Sequence, residues 1–184
     1  MKILYRTLGL VAVLALSTLL HSCDKVKDAI SINVPTQTVT ADFYIAPQQQ
    51  GAQAVVSLPV GLNLDSVIKF QNSSLGSANI KSAKIKSISL AFSNATATDH
   101  IGSFSACEVS LASSAKPDYT VIAGTTSIAD ANVASFDIPV KDVDLKEYFN
   151  STSFTYKLSA SVRRTTTTEL KGKATIKFDI VAGL

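Results

Sequence analysis

The chain has no tryptophan, one methionine, two cysteines and two histidines among its 184 residues. Each scarcity removes a class of chemistry. Without Trp the most natural platform for stacking a sugar is missing, which leaves Tyr44 as the best exposed candidate because Phe43 takes the inward direction. So few Cys and His cannot assemble the ligand set of a structural zinc site. Neither G-x-x-x-x-G-K-[ST] nor G-x-G-x-x-G occurs, so no phosphate cradle is encoded. The apolar stretch Leu8 to Leu20 has 13 residues, too short to span a bilayer as a helix, for which about 20 are needed.

What is there begins with a signal. Lys2 and Arg6 form a positive n-region ahead of that apolar stretch, which is then a removable h-region. It ends in Leu20-His21-Ser22-Cys23, which resembles the lipobox of bacterial lipoproteins. The resemblance implies cleavage after residue 22, a diacylglyceryl thioether on Cys23, and acylation of its new amino group with a fatty acid such as palmitate. Several acyl chains on one residue hold durably, where a single chain holds only marginally. An ordinary secretory signal cut nearby would instead leave Cys23 a free thiol.

Cleavage there leaves 162 residues, enough for one domain with one core. The expected divisions are a signal at 1–22, a lipidated tether at 23–38 and a single domain at 39–184. The mature chain carries 15 basic and 14 acidic residues, so no basic field for nucleic acid survives. With Cys23 lipidated, Cys107 has no partner for a disulfide. It stands in phase with Val109 and Leu111, as a small buried hydrophobe would.

Period-two alternation dominates the rest, the signature of strands with one buried face. Ile30, Ile32 and Val34 alternate up to Pro35, which suits an edge. Val39, Ala41, Phe43 and Ile45 are followed, after the turn cluster 47–51, by Ala54, Val56, Leu58 and Val60, which reads as a hairpin. A strand over about 79–93 changes phase near Lys86-Ser87 and needs a bulge there. Phe104 and Ala106 against Cys107, Val109 and Leu111 require a second. Tyr119, Val121 and Ala123 form a shorter strand, and Val133, then Phe136, Ile138 and Val140, another. Phe154 to Val162 and Leu170 to Ile180 read as the strongest hairpin, joined by a loop from Arg163 to Glu169. Tyr119, Tyr148 and Tyr156 read as core or rim residues.

Two short helical turns interrupt the strands. Asp144-Leu145-Lys146-Glu147 has capping-box spacing, and Asp65 to Lys69 opens the other with Leu64, Val67 and Ile68 on one face. About eight strands predict an all-β antiparallel β-sandwich, immunoglobulin-like in kind, with an up-and-down barrel as the alternative.

The candidate chemistry is thin. Any triad must use His100, read as an exposed loop residue whose neighbour Asp99 is poorly placed to orient it. Asp142, Asp144 and Glu147 could be oxygen ligands for Ca²⁺, but the segment lacks the turn glycine and ligand count of a calcium loop, and helix capping explains Asp144 and Glu147 more simply. Lys81, Lys84 and Lys86, with Arg163 and Arg164 on a hairpin end, could meet anionic head groups or glycans, or could be solvated strand faces.

The lipobox, the β-rich stretch behind it and the segment Asp142 to Phe149 resemble small lipoproteins of unknown function from Bacteroidetes-type bacteria. The anchor, combined with the lack of catalytic residues, leads to the expectation of an outer-membrane-anchored, non-catalytic binding or structural module without cofactor or metal, its partner an envelope protein or glycan. A fimbrial or adhesin-like subunit and a small-ligand carrier are the alternatives. Asp65-Ser66-Val67 resembles the O-glycosylation motif of that group, which would place a glycan on Ser66.

Overall fold

The computed structural model describes residues 31–133 and 135–184. The signal, the lipobox, Cys23 and residues 24–30 lie outside the described residues. Eight strands run in order: β1 (Ser31–Ile45), β2 (Gln53–Gly61), β3 (Ile80–Phe92), β4 (Phe104–Ser113), β5 (Thr120–Thr125), β6 (Ser135–Ile138), β7 (Ser153–Val162) and β8 (Leu170–Gly183). The helix α1 (Leu64–Gln71) joins β2 to β3. β1 already includes residues 31–38, which the sequence reading assigns to the tether.

Two antiparallel four-stranded sheets face each other, in the orders β1-β8-β3-β6 and β2-β7-β4-β5. The chain is thus an all-β sandwich, and no closed barrel forms. Pairing is nested: β4 bonds to β5, β3 to β6, β2 to β7 and β1 to β8. That is a long two-stranded ribbon, doubled back at the β4–β5 turn and rolled over itself, the jelly-roll arrangement rather than the immunoglobulin one.

Both expected long hairpins are therefore corrected. β1 pairs with β8 and β2 with β7, so the 46–52 loop crosses between sheets, and so does the loop between β7 and β8. The inward faces are nonetheless the expected ones: Phe154, Tyr156, Leu158, Ala160 and Val162 are buried, as are Leu170, Ala174, Ile176, Phe178 and Ile180. Alternation dictates which side of a strand is buried, and two facing strands of opposite sheets share one core as readily as two neighbours of one sheet.

The phase changes mark bulges. β3 shifts register between Ile85 and Ser87, and β4 between Phe104 and Ala106. β5 has one residue too many opposite Val109-Ser110, so Ile122 and Ala123 are both buried where Val121 and Ala123 were expected inward. Past β6 the chain crosses sheets: Gly124 N donates to Pro139 O at 2.9 Å and Lys141 N to Ile122 O at 2.8 Å. This seams one side of the sandwich. The other side presents β1 and β2 as edges.

α1 forms as its residues dictate. Asn63 accepts from the Ser66 N–H at 3.1 Å as N-cap, and Leu64 and Ile68, one turn apart, are buried. The capping box at Asp144 does not form. Asp144 Oδ1 accepts instead from Lys146 N and from Ala83 N of β3, and Glu147 pairs with Lys116.

Candidate functional site

The two ends of the sandwich differ. Loops 46–52, 93–103 and 163–169 meet at one end, here the upper end. There Asp99, only 1% exposed, accepts from the N–H and the hydroxyl of both Thr167 and Thr168, at 2.7 to 3.1 Å. Burial pushes the Asp99 carboxyl up, but those four donors outweigh it and hold the pKa below the ordinary Asp value. Thr166 and Thr165 receive the N–H groups of Gln48 and Gln50. The threonine run, which reads as a plain hairpin end, is thus a latch tying three loops.

His100 corrects its expectation, since it is buried and 4% exposed rather than solvated. Its Nδ1 accepts from Gly102 N at 3.0 Å and caps the short 3₁₀ turn Ile101–Ser103. Asp99 points to the threonines and not to the ring, so no triad geometry is assembled. Arg163 and Arg164 donate to Gly102 O and pair with Asp130, and Arg163 also donates to Ile128 O. They brace loops rather than offer a free cationic patch.

Cys107 is buried, and burial pushes its thiol up to about 11, which suits an inert core residue. Lys84 pairs with Asp142 and Lys86 with Asp179, so two members of the lysine stripe are engaged within the face. Asp142, Asp144 and Glu147 diverge to Lys84, Ala83 N and Lys116. Among the described residues no three Cys, His or carboxylate groups converge as metal ligands. Ser66 is exposed on the first turn of α1.

A trough of about 790 Å³ opens on the outer face of the second sheet. Cross-strand register builds it: Gln53 lies beside Ser161 and Ala106, then Val55 beside Ser159, Glu108 and Gly124. Small residues in the middle rows make the floor, and Gln53, Glu108, Thr125, Lys141, Lys157, Ser159 and Ser161 supply donors and acceptors. On its lower side Tyr119 is exposed, with the Lys157 ammonium 4.8 Å from its ring centroid. The sequence names none of these as a set, because four strands from distant segments contribute two or three residues each.

Glu108 is the only carboxylate among the lining residues. Glycoside hydrolysis ordinarily places two carboxylates about the scissile bond, and this trough supplies one. Within the core, an apolar void of about 20 Å³ between Phe92, Phe104, Cys107, Leu158 and neighbours has room for about one water.

No protein-family model and no curated protein matches the chain. A solved structure of the infectious bursal disease virus Gt strain aligns over 82% of this chain and 33% of its own at 8% identity, TM-score 0.41. A crystal structure described as FlhE aligns over 81% and 98% at 9% identity, TM-score 0.31. One of promiscuous carbohydrate-binding modules from the β-sandwich superfamily aligns over 84% and 56% at 9% identity, TM-score 0.33. The chain spans about a third of the length of the first. At these values the likenesses carry no functional argument.

Proposed function

We propose that this chain is a non-catalytic binding module, held by lipid on Cys23 at the bacterial outer membrane, whose ligand lies in the trough of the second sheet. The observation that carries the reading is the trough itself. Hydroxyl, amide, amine and one carboxylate side chains converge on a floor of small residues, while His100 and Cys107 are buried in structural roles. A chain of hydroxyl-bearing units, such as an envelope glycan, matches those donors and acceptors without needing the Tyr119 face, which Lys157 covers.

The alternatives fare less well on the same observations. A small-ligand carrier needs an interior far larger than the void of about 20 Å³ in the core between Phe92, Phe104 and Leu158. A strand-exchanging fimbrial subunit needs an unbroken open edge. Leu62 N donates to Thr152 O and Val162 N to Ala52 O, so alternation turns the main-chain groups of Ser57 and Pro59 outward, and Pro59 supplies no donor there.

Titration of the mature protein with polysaccharide from the envelope, followed by amide chemical shifts, tests this. Shifts confined to Gln53, Glu108, Ser159 and Ser161, abolished by Ser159→Arg, are expected. Perturbation of the first sheet instead would overturn the site. The intact mass of the envelope-extracted chain reads the Cys23 lipid and any Ser66 glycan separately.

A further inference from the structure

Phe70 is 88% exposed, the most exposed large apolar side chain among the described residues. Its exposure is built in. With Leu64 and Ile68 turned inward, two further residues carry the chain about 200° round the helix, so Phe70 stands on the side opposite the core. The helix is also fastened. Asp65 holds the Lys69 ammonium at 2.6 Å and the Ser77 N–H at 3.0 Å.

The same end receives the incoming chain. α1 lies between Gly61 and Ile80, Ile80 pairs with Ala182, and Ala182 pairs on its other side with Ile32. Cys23 precedes Ser31 by eight residues, which reach at most about 28 Å when fully extended. An exposed Phe is therefore tethered within a short span of the acyl chains on which the lipid-anchor reading rests.

We propose that Phe70 seats in the surface of the bilayer that holds Cys23, and so fixes the α1 end of the sandwich against the lipid. On α1 itself Lys69 and Asp65 cancel as a pair, so the contact made by Phe70 is apolar and needs no anionic head groups. The trough rim formed by Gln53, Ser161 and Thr125 belongs to the opposite half of the sheet. This docking turns that rim away from the membrane.

The absence of Trp makes the test clean, because F70W places a single indole at the site. The lipidated mature chain is reconstituted in phosphatidylcholine vesicles with and without brominated acyl chains, beside Y44W at the other end of β1. The F70W emission should shift to the blue and lose most of its intensity with brominated lipid, in high salt as in low, while Y44W keeps its intensity. Intact mass separates this inference from the anchor reading. A lipidated chain whose F70W indole is unquenched overturns the docking and leaves the anchor; quenching without lipid on Cys23 upholds the docking and overturns the anchor; neither signal overturns both. Unquenched chains that form dimers dissolved by Phe70→Ser assign the residue to a second copy and also overturn the docking.

Discussion

The Phe43 ring lies against the Cα of Gly172, its cross-strand partner on β8, and Phe92 of β3 closes on the same glycine from the other side. With no side chain on the middle strand, the two rings lean together edge to face, 5.9 Å between centroids. A Cβ at residue 172 would enter the Phe43 ring. Gly172→Ala should therefore cost about 1–3 kcal/mol, the usual penalty of overpacking. Adding Phe43→Leu should recover part of that loss in denaturant titrations. A loss equal to the sum of the two single changes would show that the contact does not set the cost.

The latch at Asp99 predicts acid lability. Because the folded pKa of this carboxyl is lowered, its contribution is complete above the ordinary value of 3.8 and is lost as pH falls through that value towards the folded one. Asp99→Ala strands donors of Thr167 and Thr168 and should destabilise by about 2–4 kcal/mol at neutral pH. It should also flatten the stability profile below pH about 4. Thermal melts across pH for both proteins check the sign.

His100 should behave as a cap. His100→Ala removes the acceptor for Gly102 N and should cost about 1 kcal/mol, while His100→Asn, which offers an acceptor of similar reach, should cost less. Equal losses for the two variants would argue that ring packing rather than the hydrogen bond matters.

Cys107 should resist thiol reagents in the native protein. Its pKa near 11 keeps it protonated at pH 8, and it is 6% exposed. Labelling should appear only at the rate of unfolding. Fast labelling without denaturant would contradict the packed core around it.

Pro59 should guard the open edge of the second sheet. Pro59→Val restores an outward N–H on β2 and should raise self-association at high concentration, seen by sedimentation. An unchanged monomer would mean that the β2 edge is protected by other means.

Faces were legible in this sequence and partners were not. The inward residues of β7 and β8, the bulge at Lys86 and the edge position of Pro35 all follow from alternation and proline chemistry, both local properties. Pairing β1 with β8 depends on rolling a ribbon whose ends lie more than a hundred residues apart, which no period encodes. For the same reason the threonine run reads as surface until Asp99 is brought beneath it, and His100 reads as exposed until its turn is folded under Arg163 and Arg164. The trough is further still from the sequence, since its residues are ordinary outward positions on four strands. The resemblance of Leu20 to Cys23 to a lipobox is readable because it rests on contiguous residues.

The most direct measurement places a photo-crosslinking residue at Ser159, on the trough floor, and for comparison at Thr175, on the outer face of the first sheet, in cells carrying the lipidated protein. The account predicts a discrete glycan adduct from the position 159 probe and none from 175, with the adduct lost when envelope polysaccharide is stripped. Equal adducts from both faces, or none from the trough, would contradict it.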